Sequence, residues 1–496
     1  MKYLQVALNV PANQTFTYAN VPAGKRLNKE EVAQNELIPQ KRARKVDSFE
    51  AQVGSRAEVM FGNKKATGII TAVFDELPKD LGFDAKKIRK ILRVLDESPL
   101  LTKELLDLSR WLSDFYLCPI GEVLCAMIPG AKRGGAAGAF SSVDADSFEG
   151  KNILSPEQAQ AVEKIAGGAG DGVLYHYLYG ATGSGKTEVF LSAAQKVLER
   201  GQGVLYLVPE IGLTPQVVAA VTRRFGNTAA ILHSALTPAQ KLGEWKRIVQ
   251  KEARVVIGAR SAVFAPIPDL GLIIIDEEHD SSYKSGNSPR YHARQVAMRR
   301  ASKLKIPLVM GSATPSVEAW KAMNEGQFAV HRLTKRLAGG RMPIIAAIDL
   351  SRQKIDGSIS PALEDEIRQT LAEKRQAILF LNRRGFNHVF RCNSCGFESK
   401  CKNCSVPMTY HKAQNRLVCH YCSYSVEPFR VCPQCGSVDI GYSGFGTEFI
   451  ESEVQSKFPN ARTMTLTRTR SQKKASLKKK SRPLKKATAT FCLERK

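Results

Sequence analysis

Eight consecutive residues decide the fold of this chain: Gly180, Ala181, Thr182, Gly183, Ser184, Gly185, Lys186 and Thr187. They match the complete phosphate-loop pattern, and they follow Val173–Tyr179, an apolar segment that predicts a buried strand. The glycines let backbone N–H groups wrap phosphate oxygens, and the helix that begins here adds positive potential. We therefore predict a nucleotide site in which Lys186 reaches the outer phosphates and Thr187 holds Mg²⁺.

An acidic stretch further along the chain fits the same site. Asp276-Glu277-Glu278-His279 directly follows Leu272–Ile275, which predicts another buried strand. A carboxylate at the carboxyl end of a parallel strand is where the metal lies in folds of this kind. We predict that Asp276 binds Mg²⁺ and that Glu277 polarises the attacking water. The alternative is an acidic turn at the surface.

The segments around these two motifs set the fold class. From Leu154 to about residue 335, apolar strands alternate with helical segments, which predicts an α/β fold with a doubly wound parallel sheet. The predicted strands are Val173–Tyr179, Val204–Val208, Val255–Ile257, Leu272–Ile275 and Leu308–Met310. A second β/α unit is predicted from about Pro343, with a strand at Ala377–Leu381. Residues 1–72 are predicted to be β-rich.

The charge of the chain indicates a polyanionic partner. The formal net charge is +26, and residues 462–496 carry 13 Lys/Arg against one Glu, a surplus of +12. Such a surface attracts nucleic acid in a salt-dependent way, although a solubilising charge excess is an equal alternative. No apolar run is long enough to span a membrane, and the first ten residues lack a signal-peptide core. We therefore expect a cytoplasmic protein without a membrane segment.

Eight of the 11 cysteines lie in four Cys-x-x-Cys pairs. In a cytosolic protein this pattern indicates metal rather than disulfides. Each pair can place two thiolates on one tetrahedral Zn²⁺, so we predict two closed, structural Cys₄ zinc sites. The spacing leaves the pairing open, and Fe–S ligation is the alternative chemistry. The eight residues are Cys392, Cys395, Cys401, Cys404, Cys419, Cys422, Cys432 and Cys435.

Several motifs together resemble a known family. The phosphate loop, the acidic stretch and Gly311–Pro315 (GSATP) are similar to superfamily 2 helicases. Leu207–Gln216 (LVPEIGLTPQ), Gly258–Phe264 (GARSAVF) and Asp276–Lys284 (DEEHDSSYK) narrow the resemblance to the PriA family, the primosomal replication-restart helicases. The resemblance runs from near the N-terminus to about Leu466.

The resemblance implies a domain order and a nested zinc arrangement, in which the outer pairs of cysteines share one ion and the inner pairs the other. It also implies that Gln158 reads adenine; the alternative is a helix-capping role. The predicted domains are 1–100 (β-rich, 3′-end-binding-like), 101–150 (helical segment and linker), 151–340 (RecA-like ATP-binding lobe one), 341–390 (start of lobe two), 391–437 (two-zinc module), 438–466 (continuation of lobe two) and 467–496 (basic, disordered tail).

The resemblance also implies sites for DNA. Pro209–Gln216 and Gly258–Phe264, which includes Arg260, would follow single-stranded DNA. The segment Tyr283–Arg294 resembles an aromatic-rich loop that senses DNA; the alternative is a mobile surface loop. Phe16, Tyr18, Gly62 and Lys64 would line a pocket for a 3′ DNA end, or belong to the sheet core, and Thr17 stands where the family commonly has Asp. The loop residues expected to contact DNA are Tyr283, Lys284, Arg290, Tyr291 and Arg294.

The implied activity is ATP-dependent 3′-to-5′ unwinding at stalled forks. Implied partners are forked and single-stranded DNA, primosome proteins, single-stranded-DNA-binding protein and the replicative helicase or its loader, and we expect a monomer.

Only about 20 residues separate Gly130 from Asn152, where the family has a winged-helix domain. After Leu466 the composition turns basic, which we interpret as a frame-shifted end lacking the arginine finger; an evolved DNA-binding tail is the competing interpretation. We therefore expect ATP binding with slow hydrolysis, and the alternative function is a truncated ATP-, zinc- and DNA-binding fragment.

Overall fold

The computed structural model divides the chain into two compact units, Met1–Arg341 and Met342–Lys496, and each is described by itself. The predicted linker at 131–150, residues 210–214 of the predicted DNA path and residues 467–490 lie outside the described residues. The described residues are 2–20, 48–77, 88–130, 153–167, 174–209, 215–234, 236–336, 343–350, 357–381, 389–392, 394–411, 415–438, 440–443, 447–466 and 491–495.

The first unit opens with a five-stranded antiparallel sheet in the order β2-β1-β4-β3-β5. Its strands are β1 (Tyr3–Leu8), β2 (Phe16–Ala19), β3 (Arg56–Phe61), β4 (Lys64–Phe74) and β5 (Arg93–Val94). Apolar residues of these strands pack into a core of their own, which includes Leu4, Val6 and Ile70. A buried ion pair between Arg56 and Asp96, 2.7 Å apart, links β3 to the chain beyond β5.

Two helices connect this sheet to the rest of the unit. They are α1 (Lys103–Phe115) and α2 (Ile120–Met127). Helix α1 buries its Leu105, Leu108 and Leu112 side. Helix α2 packs directly on β1. Gly121 lies so close to Leu8 that an added Cβ would be 1.7 Å from the Leu8 carbonyl oxygen. Both helices share a continuous apolar core with the larger sheet that follows.

The larger sheet has seven parallel strands in the order β12-β6-β11-β10-β7-β9-β8. Its strands are β6 (Tyr175–Gly180), β7 (Gly203–Leu207), β8 (Ala229–Leu232), β9 (Val255–Gly258), β10 (Leu270–Asp276), β11 (Leu308–Ser312) and β12 (Ala329–Leu333). Its helices are α3 (Pro156–Ala166), α4 (Lys186–Glu199), α5 (Pro215–Phe225), α6 (Pro238–Val249), α7 (Ala293–Leu304) and α8 (Val317–Asn324). Ile273 and Ile275 pack into one core and Leu272 and Ile274 into another, so both faces are covered and the strand is apolar throughout. The predicted doubly wound fold is confirmed.

The second unit contains two small sheets. One is parallel, in the order β13-β20-β19, and the other is antiparallel, in the order β17-β16-β15-β14-β18. The strands are β13 (Ala377–Leu381), β14 (Val389–Cys392), β15 (Thr409–His411), β16 (Arg416–Val418), β17 (Ser425–Val426), β18 (Ile440–Ser443), β19 (Thr463–Leu466) and β20 (Phe491–Arg495), and the helices are α9 (Pro361–Ala372) and α10 (Thr447–Lys457). Apolar residues of α9 and α10, Ile367 and Val454 among them, pack in one core.

The prediction of a wholly disordered tail is wrong at its end. Strand β20 pairs in parallel with both β13 and β19, and Cys492 lies opposite Ile378 on one side and Met464 on the other. Phe491-Cys492-Leu493 is the apolar part of the tail, and backbone pairing on both sides satisfies its polar groups. The surrounding lysines conceal this short signal in the composition.

Within the described residues, no helix is long and apolar enough to cross a bilayer.

Candidate nucleotide site and metal centres

The phosphate loop joins the end of β6 to the start of α4, as predicted. Gly183 and Gly185 have φ angles of +83° and +85°, values that favour glycine because a Cβ would be strained there. Gly180 is also required for space, because a Cβ at this position would lie 2.6 Å from the Ser184 Oγ. The local sequence therefore fixes a tight loop whose backbone can approach a ligand closely.

Two polar side chains of the loop turn inward. The Lys186 Nζ donates to the Gly180 carbonyl oxygen at 2.9 Å and lies 3.5 Å from that of Ala181, and the side chain is buried. The buried Ser184 Oγ has no hydrogen-bond partner within the described part of the chain. A buried donor without a partner is costly, so the Ser184 hydroxyl gains when an anion enters the loop. The residues present therefore fit a nucleotide phosphate.

The Gln158 side chain binds the backbone of the phosphate loop. Its Nε2 donates to the Ser184 carbonyl oxygen at 3.2 Å, and its Oε1 accepts from the Ser155 N–H at 2.9 Å. The Ser155 side chain caps α3 in return, which completes a capping box. The buried amide is thus occupied at both ends. This geometry favours the capping alternative, and adenine recognition by Gln158 stays a prediction.

Asp276 lies at the carboxyl end of β10, and two donors hold its carboxylate. Its Oδ1 accepts from the Glu277 N–H at 2.9 Å, and its Oδ2 accepts from the Tyr206 hydroxyl at 3.1 Å. Burial, helped by the charge of Glu277, raises the pKa of Asp276 to about 6, while Lys186 opposes the shift. Burial also raises the pKa of Tyr206 well above its ordinary value, so this phenol stays a donor.

Glu277 is oriented differently from its neighbour. Its backbone adopts φ +44°, a left-handed conformation that is uncommon for a non-glycine residue and typical of functional sites. Its side chain is 41% exposed, and its Oε2 accepts from the Ser312 Oγ at 3.1 Å. The His279 Nδ1 lies 2.8 Å from the same Ser312 Oγ. A partly exposed, oriented carboxylate of this kind can polarise a water molecule.

The donor set at this site fits Mg²⁺. Magnesium prefers carboxylate oxygens and phosphate oxygens and keeps several waters. Asp276 offers a carboxylate, and a nucleotide held by the Lys186 loop would offer the phosphate oxygens. Thr187, in the first turn of α4, is half-buried beside the loop. Asp276 and Thr187 would hold the ion.

The four Cys-x-x-Cys pairs fold into four matching turns. In each turn, the N–H of the residue after the second cysteine donates to the carbonyl oxygen of the first cysteine at 2.9 Å. That residue has positive φ in every case, and the four residues are Gly396, Ser405, Ser423 and Gly436. The repeated geometry directs both thiols of each pair to one side. The sequence therefore builds two-thiol half-sites.

The half-sites combine in the nested order that the family resemblance implied. Their sulfur atoms form two groups, each within 4.8 Å, and Cys392 lies 3.6 Å from Cys435 as Cys401 does from Cys422. Four sulfurs at 2.3 Å from Zn²⁺ would stand about 3.8 Å apart, so the spacing fits the ion. The groups are Cys392, Cys395, Cys432 and Cys435, and Cys401, Cys404, Cys419 and Cys422.

The structure places two of the loop residues that were expected to contact DNA, Tyr283 and Tyr291, in the core rather than at the surface. The Tyr283 ring is 0% exposed and donates its hydroxyl to the Asp276 carbonyl oxygen at 2.7 Å, and the Tyr291 ring is 5% exposed beneath Arg260. Arg294 pairs with the buried Glu278. These side chains brace the loop because the core offers them apolar cover and partners. Only Lys284 and Arg290 of the predicted loop contacts are exposed.

Arg260 also serves the loop. Its Nη1 donates to the carbonyl oxygens of Ser282, at 3.0 Å, and Lys284, at 2.7 Å. It therefore joins the segment after β9 to the loop after β10, and its direct contact with DNA stays a prediction.

The predicted pocket of the first sheet is only partly assembled. The Phe16 ring packs edge-on to Phe61 at 4.9 Å, next to the exposed turn that carries Gly62 and Lys64. Tyr18 is instead buried, and its hydroxyl donates to the Met60 carbonyl oxygen at 3.1 Å. The sheet-core alternative therefore describes Tyr18, while Phe16 is half-buried against the same core and Lys64 is exposed.

Three residues that contribute to the site, Tyr206, Glu278 and Ser312, do not stand out individually in the sequence. Tyr206 is one apolar-strand residue among many, Glu278 looks like a further surface acid, and Ser312 lies in a motif read as a unit. Glu278 is fully buried and accepts hydrogen bonds from Tyr177, Arg294 and Ser316. Only the packing of neighbouring strands reveals these partners.

Comparison with known proteins gives the family. Residues 44–129 match the family model of a 3′DNA-binding domain (3′BD), 155–322 that of a DEAD/DEAH box helicase, and 401–426 that of the PriA DNA helicase Cys-rich region (CRR) domain. The replication restart protein PriA of Treponema pallidum (strain Nichols) is 45% identical over 460 residues, which are 93% of this chain and 66% of that protein. The protein of the same name from Haemophilus influenzae is 32% identical and aligns with 96% of this chain and 72% of its own length. The chain belongs to the PriA family.

The chain spans 66% of the length of the T. pallidum PriA and 36% of that of the Bacillus subtilis (strain 168) PriA, which is 42% identical over 292 residues. It is also similar, with 15% identity and a TM-score of 0.38, to a solved structure of RecG bound to a three-way DNA junction, covering 69% of this chain and 36% of that one. The DEAD/DEAH helicase domain implies ATP and Mg²⁺, and the two Cys₄ clusters of this PriA family member imply two Zn²⁺.

Proposed function

We propose that this chain is an ATP-dependent 3′-to-5′ DNA helicase of the primosome that acts in the restart of stalled replication forks. One observation carries the proposal: the Lys186 loop and the Asp276–Glu277 pair lie at the carboxyl ends of β6 and β10 of one parallel sheet. The same chain matches the DNA-binding and Cys-rich parts of its family, which supports a DNA substrate.

The residues of the site divide the work of hydrolysis. Mg²⁺, when bound, neutralises charge on the outer phosphates. Lys186 would exchange its hydrogen bonds with the loop carbonyl oxygens for phosphate oxygens, and Asp276 would hold the metal. Glu277, held by Ser312, orients the attacking water and accepts its proton. Ser312 lies at the end of β11, so the hydrolytic carboxylate is tied to the segment that leads into α8.

DNA is expected on the loops that surround this edge of the sheet. Lys284 and Arg290 are exposed cations suited to phosphate contacts, and Phe16 with Lys64 suits a DNA end. Forked and single-stranded DNA are the proposed substrates. Primosome proteins, single-stranded-DNA-binding protein and the replicative helicase or its loader are proposed partners of a monomer in the cytoplasm.

Steady-state ATP hydrolysis with and without single-stranded DNA tests the proposal, alongside displacement of a labelled strand from a fork. Lys186→Ala is the control, because it removes the phosphate-facing ammonium and leaves the DNA surfaces intact. DNA-stimulated turnover that Lys186→Ala abolishes supports the helicase. Absence of nucleotide binding in excess Mg²⁺ would contradict it.

One observation favours a second candidate, an ATP-, zinc- and DNA-binding module that occupies forks without unwinding them. In the described part of the second unit the parallel sheet has three strands, against seven in the first unit. Tight ATP and DNA binding without strand displacement would select this candidate.

A further inference from the structure

The Tyr206 hydroxyl is the one side-chain donor in the described structure that bonds the Asp276 carboxylate. Tyr206 lies on β7, which pairs in parallel with β10, and its register partner is Ile274, two residues before Asp276. The ring is fully buried and packs against Phe190, with the two centroids 5.9 Å apart. The phenol therefore extends along the sheet from a rigid strand towards the end of its neighbour.

The two donors on Asp276 act on different oxygens. The Glu277 N–H bonds Oδ1 and the Tyr206 hydroxyl bonds Oδ2, at 2.9 and 3.1 Å. Together they fix the rotation of the carboxylate. An ionised carboxylate has about four lone-pair positions, so both oxygens can still accept a cation or a metal-bound water without losing either bond.

We propose that Tyr206 is a positioning residue for magnesium: its buried hydroxyl holds the Asp276 carboxylate in the orientation that receives the ion. The inference rests on the proposed function, because it assigns Asp276 to Mg²⁺. Partners that orient a metal ligand typically contribute 10–100-fold in metal affinity. A rigid strand residue is suited to this role because its own rotamer is fixed by packing.

The plain alternative is that Tyr206 merely finds a partner for its own hydroxyl. Tyr177 provides a matched control for that alternative. It lies on β6 in the same sheet, is fully buried, and donates to a carboxylate oxygen of Glu278 at 3.2 Å. Glu278 has additional donors in Arg294 and Ser316. Both Tyr→Phe substitutions remove one buried hydroxyl, but only one of these hydroxyls contacts the predicted metal ligand.

The test measures metal affinity directly. Mg²⁺ is titrated into the full chain with a saturating fluorescent ATP analogue, and Mn²⁺ binding is followed by electron paramagnetic resonance. We expect Tyr206→Phe to raise the half-saturating metal concentration about 10-fold and to leave analogue affinity in EDTA unchanged. Tyr177→Phe should shift the metal midpoint less than twofold, at a similar melting temperature.

An unchanged metal midpoint in Tyr206→Phe, or an equal shift in Tyr177→Phe, would overturn the inference while the proposed function stands. If the unmodified chain shows no metal-dependent nucleotide binding at all, the proposed function fails first. The EDTA measurement separates a lost metal ligand geometry from a damaged phosphate loop, because only damage to the loop weakens metal-free binding.

Discussion

The Arg294→Ala substitution distinguishes two roles for Arg294: an ion pair with Glu278 that stabilises the loop, and a contact with DNA. Arg294 is 13% exposed, and its partner Glu278 is 0% exposed. Removing one member of a buried ion pair costs about 3–5 kcal/mol, because the other charge stays buried. Glu278 keeps its hydrogen bonds from Tyr177 and Ser316, so we expect the lower end, about 3 kcal/mol. For a unit of this size that corresponds to a fall of about 4 °C in melting temperature.

The assay pairs thermal melting with DNA affinity at several salt concentrations. Arg290→Ala is the matched control, an exposed arginine of the same loop. It should leave melting unchanged and reduce the slope of log affinity against log salt by about 0.7, as one lost phosphate contact does on single strands. Adding Glu278→Gln to Arg294→Ala should recover part of the stability, because the unpaired charge disappears. If Arg294→Ala has the melting temperature of the unmodified chain but a smaller slope of log DNA affinity against log salt, Arg294 contacts DNA and does not stabilise the loop.

Three further changes test other parts of the structure. Chelation should release two Zn²⁺ per chain, and Cys401→Ser should reduce the metal content towards one, as measured by atomic emission; an unchanged zinc content would contradict the inner site. Burial, with a smaller effect of the charge of His176, lowers the pKa of His331 to about 4, so the unfolded chain binds a proton below about pH 6.5 that the folded chain does not. Stability should therefore fall as pH drops from 6.5 towards 4, by about 3 kcal/mol at most, and His331→Gln should flatten this dependence in melting curves recorded across that range. Gly121→Ala should lower the melting temperature because its Cβ meets the Leu8 carbonyl oxygen, whereas Gly130→Ala, which meets no atom within 4 Å, should not.

Patterns of neighbouring residues predicted the elements of the fold well. The apolar run before Asp276, the glycines of the phosphate loop and the spacing of the cysteines each describe a local structure that forms in one way. The sheet order, β12-β6-β11-β10-β7-β9-β8, did not follow from them. Strands β8 and β12 were missed because neither is a continuous run of large apolar residues: Ala229–Leu232 begins with two alanines, and Ala329–Leu333 contains His331 and Arg332.

The candidate site was predictable where chemistry is carried by motifs and unpredictable where it depends on packing. Tyr283 and Tyr291 look like stacking aromatics in the sequence, yet the core buries both rings. Residue type alone cannot decide this, because an aromatic side chain suits an apolar core as well as a nucleic-acid base. The strand at Phe491–Arg495 was missed for a related reason, since pairing with two distant strands leaves no local trace.

The nested cysteine pairs make the two zinc ions unequal in the assembly of their module. The inner ion ties Cys401 to Cys422, 21 residues apart, within the 37-residue span from Cys395 to Cys432 that the outer ion closes. Once the inner loop is tied, the outer closure spans effectively fewer free residues, which reduces its entropic cost by about 0.7 kcal/mol. We therefore expect the inner ion to bind first and fold the centre of the module, and the outer ion to bind second and close its ends. When zinc is scarce, the outer site should lose its ion first.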